Sequence, residues 1–388
     1  MRRSARFIAV ALCALALLAQ PPRSLAADAI RSFRVPGRPF AVAVSPDGAT
    51  LFVSVSGTSG ERGGIRVFHL AGDQVANGTF VALEGEPHGI ALMPDGTTLL
   101  VANGTGLAEL DARALARDEQ SVPAYLRDSL AGSIEVAPSR DGTYAFVSNE
   151  SRGDMSVVRL ARASDGSTQL SLLGKVPTGR LPVGIALSAD GALLYVASEI
   201  ARPRADFANA GDSQAVRDRC AENGTRNGTL TVIDTEKAQA ADPGAVVATF
   251  AAGCAPVRVV LSPKGDFAWV TARGENRLLA FDTQKMHADP QHALAASVPV
   301  GSAPVGLAVV DDGALVVVAN SDRFAKAAKS TMDVVDTAKA LAHADAVQKS
   351  LPTGAFPREF AEAPNHATLY LTNFRSDAVE IVDESALR

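Results

Sequence analysis

Seven apolar strands of the chain each follow a glycine turn, and their alignment sets one residue column at Ala41, Gly89, Glu135, Gly184, Arg258, Gly306 and Glu359. Four of these positions are small and three are charged. A charge in a column otherwise kept small marks a place where chemistry could sit. The neighbouring column adds His88 and Arg358, and nearby turns add Arg38, Glu86 and Arg180. Polar loops that reach the same side contribute Glu150, Arg152, Glu199, Arg273, Glu275, Asp322, Arg323 and Arg375. Arginine holds carboxylate or phosphate oxygens through a two-pronged planar contact, and glutamate or histidine serves as a general base. Glu135, Arg258, Glu359 and His88 are therefore the candidate catalytic groups. Arg38, Glu86, Arg180, Arg273, Asp322, Arg323, Arg358 and Arg375 are the candidate ligand-binding groups of an arginine-rich pocket. The competing account is a hydrated network of charges without a ligand, with His88 in a structural role.

The elements that must position these residues repeat along the chain. The turn glycines are Gly37, Gly85, Gly132, Gly179, Gly253, Gly301 and Gly354, spaced by about 50 residues as in propeller blades, with one longer interval between Gly179 and Gly253. Each strand that follows ends at a turn such as Ser45-Pro46-Asp47-Gly48, Met93-Pro94-Asp95-Gly96 or Ser262-Pro263-Lys264-Gly265. Proline presets φ and glycine accepts positive φ, so these are tight turns. The last copy has decayed to Ala363-Pro364-Asn365-His366. Next come a second strand, such as Leu194-Tyr195-Val196-Ala197-Ser198, and a third ending in Ile233-Asp234-Thr235, Phe281-Asp282-Thr283 or Val335-Asp336-Thr337. These aspartates are expected to form turns by bonding their own backbone. A fourth strand, such as Ala245–Phe250, completes the unit.

Four short strands with turn signals between them make one antiparallel blade, so the fold class is all-β: a seven-bladed β-propeller of four-stranded antiparallel blades. The last copy stops after Ala378–Asp383 and lacks a fourth strand, while an orphan strand over 30–35 precedes the first turn glycine. The N-terminal strand is expected to join the last blade, closing the ring and protecting two sheet edges.

The repeated Gly-x-x-Pro, Ser-Pro-Asp-Gly, Leu-Tyr-Val-Ala-Ser and Leu-Thr-Val-Ile-Asp-Thr segments resemble the YVTN-type β-propeller repeat family across nearly the whole chain after its leader. The resemblance implies the fold strongly and the function weakly. Relatives include lactonase-like proteins, surface-layer proteins and periplasmic propellers tied to redox enzymes.

The chain has 388 residues, 47% of them apolar, with 32 glycines and 21 prolines, which suits a propeller whose blades pack on their neighbours. A formal net charge of −5 argues against a nucleic-acid partner, which needs a basic face. Arg2, Arg3 and Arg6, an apolar run from Phe7 to Ala19 and Ser24-Leu25-Ala26 read as a secretory leader over 1–26, with the propeller in 27–388. The apolar run is short for a membrane span, so the protein is expected to be soluble, monomeric and periplasmic or secreted. Removing the leader leaves Cys220 and Cys254, expected to form a disulfide in an oxidising compartment. Cys220 belongs to an insertion over about 200–227 in blade four, and the disulfide is expected to pin it across the mouth of the ring, close to blade five. A loop of that length in a compact domain is functional or disordered.

The chain carries no His-Glu-x-x-His, Cys-x-x-Cys or Gly-x-Ser-x-Gly motif, and its six histidines are scattered. No cofactor is evident and no multi-histidine metal site is expected; calcium, bound through carboxylates and carbonyls, stays open. The first expectation for function is an exported binding or scaffolding propeller that engages a small anionic ligand, a glycan or a protein partner at the channel mouth. The alternative is a lactonase-like hydrolase or isomerase acting on a lactone or sugar acid, an analogy at the level of fold. A weaker alternative is an accessory protein of a periplasmic redox enzyme.

Overall fold

Each repeat forms one antiparallel four-stranded sheet, and seven such sheets follow one another around a ring. The computed structural model describes residues 29–388 apart from 59, 73, 128–129, 164–167, 204–206, 210–213 and 325–328. The leader expected over 1–26, and Arg204, Asp206 and Asp212 of the insertion, lie outside the described residues.

Strand position within a blade shows in the burial pattern. Second strands such as Thr50–Ser56 are buried at every residue, because neighbouring blades cover both of their faces. Outer strands such as Thr168–Pro177 and Val347–Pro352 alternate between half-buried and exposed, because only one face meets a neighbour. The core therefore lies between blades. Phe52, Ile65 and Val67 of blade one pack on Leu99, Val101 and Leu110 of blade two. Trp269 and Leu278 of blade five pack on Val316, Val318 and Val335 of blade six.

The ring closes as expected. The strand Ile30–Arg34 pairs with Ala378–Asp383 as the outer strand of the last blade, in a register running from Ile30 opposite Val382 to Arg34 opposite Ala378. Val42, Leu51 and Val53 of blade one then pack on Tyr370, Val379 and Ile381 of blade seven.

The repeated turns hold their shape by local bonds. Ser45 Oγ donates to Asp47 at 2.5 Å, Gly48 N–H donates to the Ser45 carbonyl at 2.8 Å, and Gly48 sits at φ +72°. In the decayed seventh copy His366 takes the glycine place at φ 51°, a left-handed conformation that side chains seldom adopt. The aspartates ending the third strands do more than turn the chain. Asp111, Asp234, Asp282 and Asp336 each cap a short helix on the rim by accepting a backbone N–H three residues on.

The disulfide between Cys220 and Cys254 forms, and both cysteines are fully buried. It anchors the helix Gln214–Glu222 of the insertion. Arg219 of that helix contacts Glu275 at 2.7 Å, and Glu275 accepts the Cys254 N–H at 3.0 Å. Upstream, Ala208 N–H donates to the Thr249 carbonyl, and Asn209 bonds both backbone groups of Ala251. Thr249 and Ala251 belong to the outer strand of blade four. The described part of the insertion thus lies against the blade-four edge and the approach to blade five, not across the channel mouth. The outer strand offers free backbone groups there, and the insertion satisfies them.

Candidate functional site at the channel mouth

The inner strands present two successive rings to the axis. Phe40, Ile134, Val183, Val257 and Val305, which come from five different blades, pack into one apolar cluster. Strands from non-adjacent blades meet only at the axis, so this cluster is the channel wall. The same ring is completed by His88 and Arg358. The ring below it is the column of Ala41, Gly89, Glu135, Gly184, Arg258, Gly306 and Glu359.

In the lower ring the three charges meet. Arg258 Nη1 lies 2.9 Å from Glu135 Oε1, and Nη2 contacts Glu359 Oε1, so a buried guanidinium from blade five joins carboxylates from blades three and seven. The small residues in this column make room for them. A Cβ added to Gly89 would come within 2.6 Å of the Glu135 carboxylate, and one added to Gly184 would come within 2.9 Å of the Arg258 Cα. Both glutamates are thus committed to one cation.

The upper ring differs. Arg358 stacks on Phe40, with Cζ 3.8 Å from the ring centre, and its other aromatic neighbours are Phe356 and Phe374, each at 5.5 Å. No carboxylate pairs with Arg358 among the described residues, and its buried Nε has no hydrogen-bond acceptor. The residue as a whole is half-buried. Burial, reinforced by the positive charges of Arg258, Arg323 and Arg273, pulls its pKa down to about 9, which leaves it charged at neutral pH. His88 also packs on Phe40, with ring centres 4.8 Å apart, and its Nδ1 donates to the Ser133 carbonyl at 3.1 Å. Burial lowers the His88 pKa, so the ring is neutral at neutral pH and directs Nε2 elsewhere.

Further charges from the loops surround this ring. Arg273 pairs with Glu199 at 2.6 Å and lies 6.0 Å from the Phe324 ring centre. Glu150 has no ion pair among the described residues. Burial and the neighbouring Glu199 raise its pKa, against the opposing pull of Arg323, Arg273 and Arg358. Arg375 lies 4.8 Å over Phe356, and Arg38 lies 5.8 Å from Phe374, so both join the aromatic group that holds Arg358. Glu86 is exposed on the turn before His88, and Asp322 sits in the blade-six loop with its N–H on the Ser302 carbonyl. Arg180 stands apart, in a pocket under the insertion. Phe40, Phe356 and Phe374 were not singled out from the sequence. The signal was present for Phe40, which shares the column of His88 and Arg358, but aromatic residues in strands are ordinarily core. Among the described residues, no group of three or more His, Cys, Asp or Glu could hold a metal ion.

No protein-family model matches the chain, and no curated protein matches it. Solved structures do. A chain of Kuenenia stuttgartiensis hydrazine synthase superposes with a TM-score of 0.65 at 18% identity, over 91% of this chain and 97% of that one. The Cps50 (Swd1) β-propeller domain of Myceliophteria thermophila gives 0.62 at 12% identity, over 91% and 99%. A chain of the mitotic checkpoint complex gives 0.65 at 11% identity, over 98% and 99%. These similarities concern fold. With the sheet order they define the class: a seven-bladed β-propeller whose axial mouth is lined by arginines and aromatic rings.

Proposed function

We propose that this chain is an exported binding propeller that holds a small organic anion at the mouth of its channel. The observation that carries the proposal is Arg358. A charged guanidinium without a carboxylate partner is costly to bury. Its flat faces meet aromatic rings, which leaves the N–H groups at its edge as the means of binding, and that edge matches a carboxylate. Phe40, Phe356 and Phe374 supply apolar walls suited to an organic group, while Arg38 and Arg375 add positive charge at the rim. Binding is preferred to catalysis because Glu135 and Glu359 both pair with Arg258 through Oε1, which gives the two carboxylates a structural partner of their own. The leader and the buried disulfide agree with export to an oxidising compartment.

Calorimetric titration of the mature protein with benzoate, gluconate and their uncharged amides tests this. Binding of a carboxylate, absence of binding by its amide, and loss in Arg358→Met are expected. Equal binding by acid and amide, or an unchanged Arg358→Met variant, would sink the proposal.

A further inference from the structure

The insertion builds a pocket away from the axis. It has a volume of about 420 Å³, and four arginines line it: Arg180, Arg202, Arg217 and Arg226. Phe207 and Ile200 supply apolar wall, and no aspartate or glutamate is among the described residues that line it. On a chain of net charge −5, four guanidinium groups around one cavity are a marked local excess.

The arginines come from separate segments. Arg180 follows the blade-four turn glycine, and Arg202 lies where the insertion leaves the second strand. Arg217 belongs to the disulfide-anchored helix, and Arg226 precedes the strand Asn227–Asp234. Arg202 is fixed in place: Nε donates to the Thr178 carbonyl and Nη2 to the Gly153 carbonyl, both at 2.5 Å. Neutral carbonyls orient the group without cancelling its charge. Arg217 donates to Gln214 Oε1 at 3.0 Å. Arg180 and Arg226 have no carboxylate partner among the described residues. The frame is held as well. The Cys220–Cys254 disulfide and the Arg219–Glu275 pair fasten the helix, and Ala201 N–H donates to the Asn227 carbonyl, which joins the two ends of the insertion.

We propose that this pocket is a second anion site, independent of the channel mouth, which takes a small polyanion bearing phosphoryl or carboxylate oxygens through Arg180, Arg202 and Arg226. Several guanidinium forks converging on one cavity suit an ion with several charged oxygens better than a single carboxylate. Salt weakens such binding by screening its exposed charges.

The test is titration of the oxidised mature protein with pyrophosphate and, separately, with citrate. The proteins compared are the wild type and the double variant R180Q/R226Q, with benzoate titrated into both as the control for the channel mouth. At least one anion is expected to bind the wild type. The double variant is expected to weaken that binding by about tenfold or more through loss of charge-assisted hydrogen bonds, and to leave benzoate binding at the channel mouth unchanged. The preferred anion tells phosphoryl from carboxylate chemistry. Binding of neither anion, unchanged binding of both anions in R180Q/R226Q, loss of benzoate binding in R180Q/R226Q, or binding of a short acidic peptide alone would each overturn the proposal. Failure at the channel mouth would show differently, as an Arg358→Met variant unchanged toward benzoate.

Discussion

Arg258 and Arg358 lie one ring apart on the same axis and meet opposite surroundings. Arg258 has two carboxylates, while Arg358 has aromatic faces and no paired acid among the described residues. A buried ion pair contributes little net stability, yet removing one partner strands the other, at about 3–5 kcal/mol. Arg258 is therefore placed as a tie between blades, and Arg358 is the group proposed to bind. Glu150 is the acid expected to make anion binding at the mouth depend on pH, beside the neutral His88. Burial and Glu199 raise its pKa above the ordinary carboxylate value, so the native state holds the proton more tightly than the unfolded chain. The stability this provides is present at low pH and is lost as pH rises through the folded pKa. Protonation also removes a negative charge near Arg358, so anion affinity should rise as pH falls through the same window. Titrations at about pH 5 and about pH 8 should show this trend in the wild type and a weaker trend in Glu150→Gln. A wild-type affinity independent of pH would remove Glu150 from the site.

At the scale of the element, the insertion is the segment that departs from the repeat. Its helix is short and polar, and it stays in place through contacts rather than propensity. The disulfide spans a sequence separation of 34, which corresponds to about 3–4 kcal/mol in the loop-entropy account. The double variant C220S/C254S should therefore unfold at lower denaturant, and protease should cut first within 200–227. Its benzoate binding should persist, because the described insertion does not cover the mouth. Loss of benzoate binding in this variant, with the propeller still folded, would place the insertion in the channel site. The rim helices depend on another local device, the aspartate caps. These explain why Asp-Thr recurs at the third-strand ends: the carboxylate satisfies a backbone N–H that the first helical turn leaves unpaired.

The whole molecule is a ring closed by one long-range pairing. Ile30–Arg34 meets Ala378–Asp383 from the far end of the chain, and Val35 and Phe33 pack into the seam between blades seven and one. A chain beginning at residue 36 would expose the edge of Ala378–Asp383 and open that seam. It should unfold several kcal/mol more easily, since burying each large apolar side chain contributes about 1.5–3 kcal/mol, and it should self-associate through the bared edge. Equilibrium urea unfolding with light scattering would measure both. A truncated chain as stable and monomeric as the parent would contradict the closure seen here. Ring closure also builds the mouth, because Arg358 of blade seven reaches Phe40 of blade one across the same seam.

Much of the architecture was legible in the residues themselves. Blade number, strand order and the closing strand followed from turn chemistry and from apolar runs, both set by neighbours within a few positions. The cysteine partner followed from an even count in a chain read as exported, and the anomalous charges at Glu135, Arg258 and Glu359 stood out against a small-residue column. Their meaning did not follow. Residues from blades three, five and seven meet only once the ring has closed, and which arginine gains carboxylates depends on side-chain directions across the axis. The same holds for the aromatic walls, which resemble ordinary core residues until Arg358 is seen lying on them. Arg180 shares its turn position with Arg38, yet the insertion beside it surrounds it with other arginines instead of the channel. Local sequence determined the blades, and the tertiary structure decided which charges are paired, because that pairing is made between segments far apart in the chain.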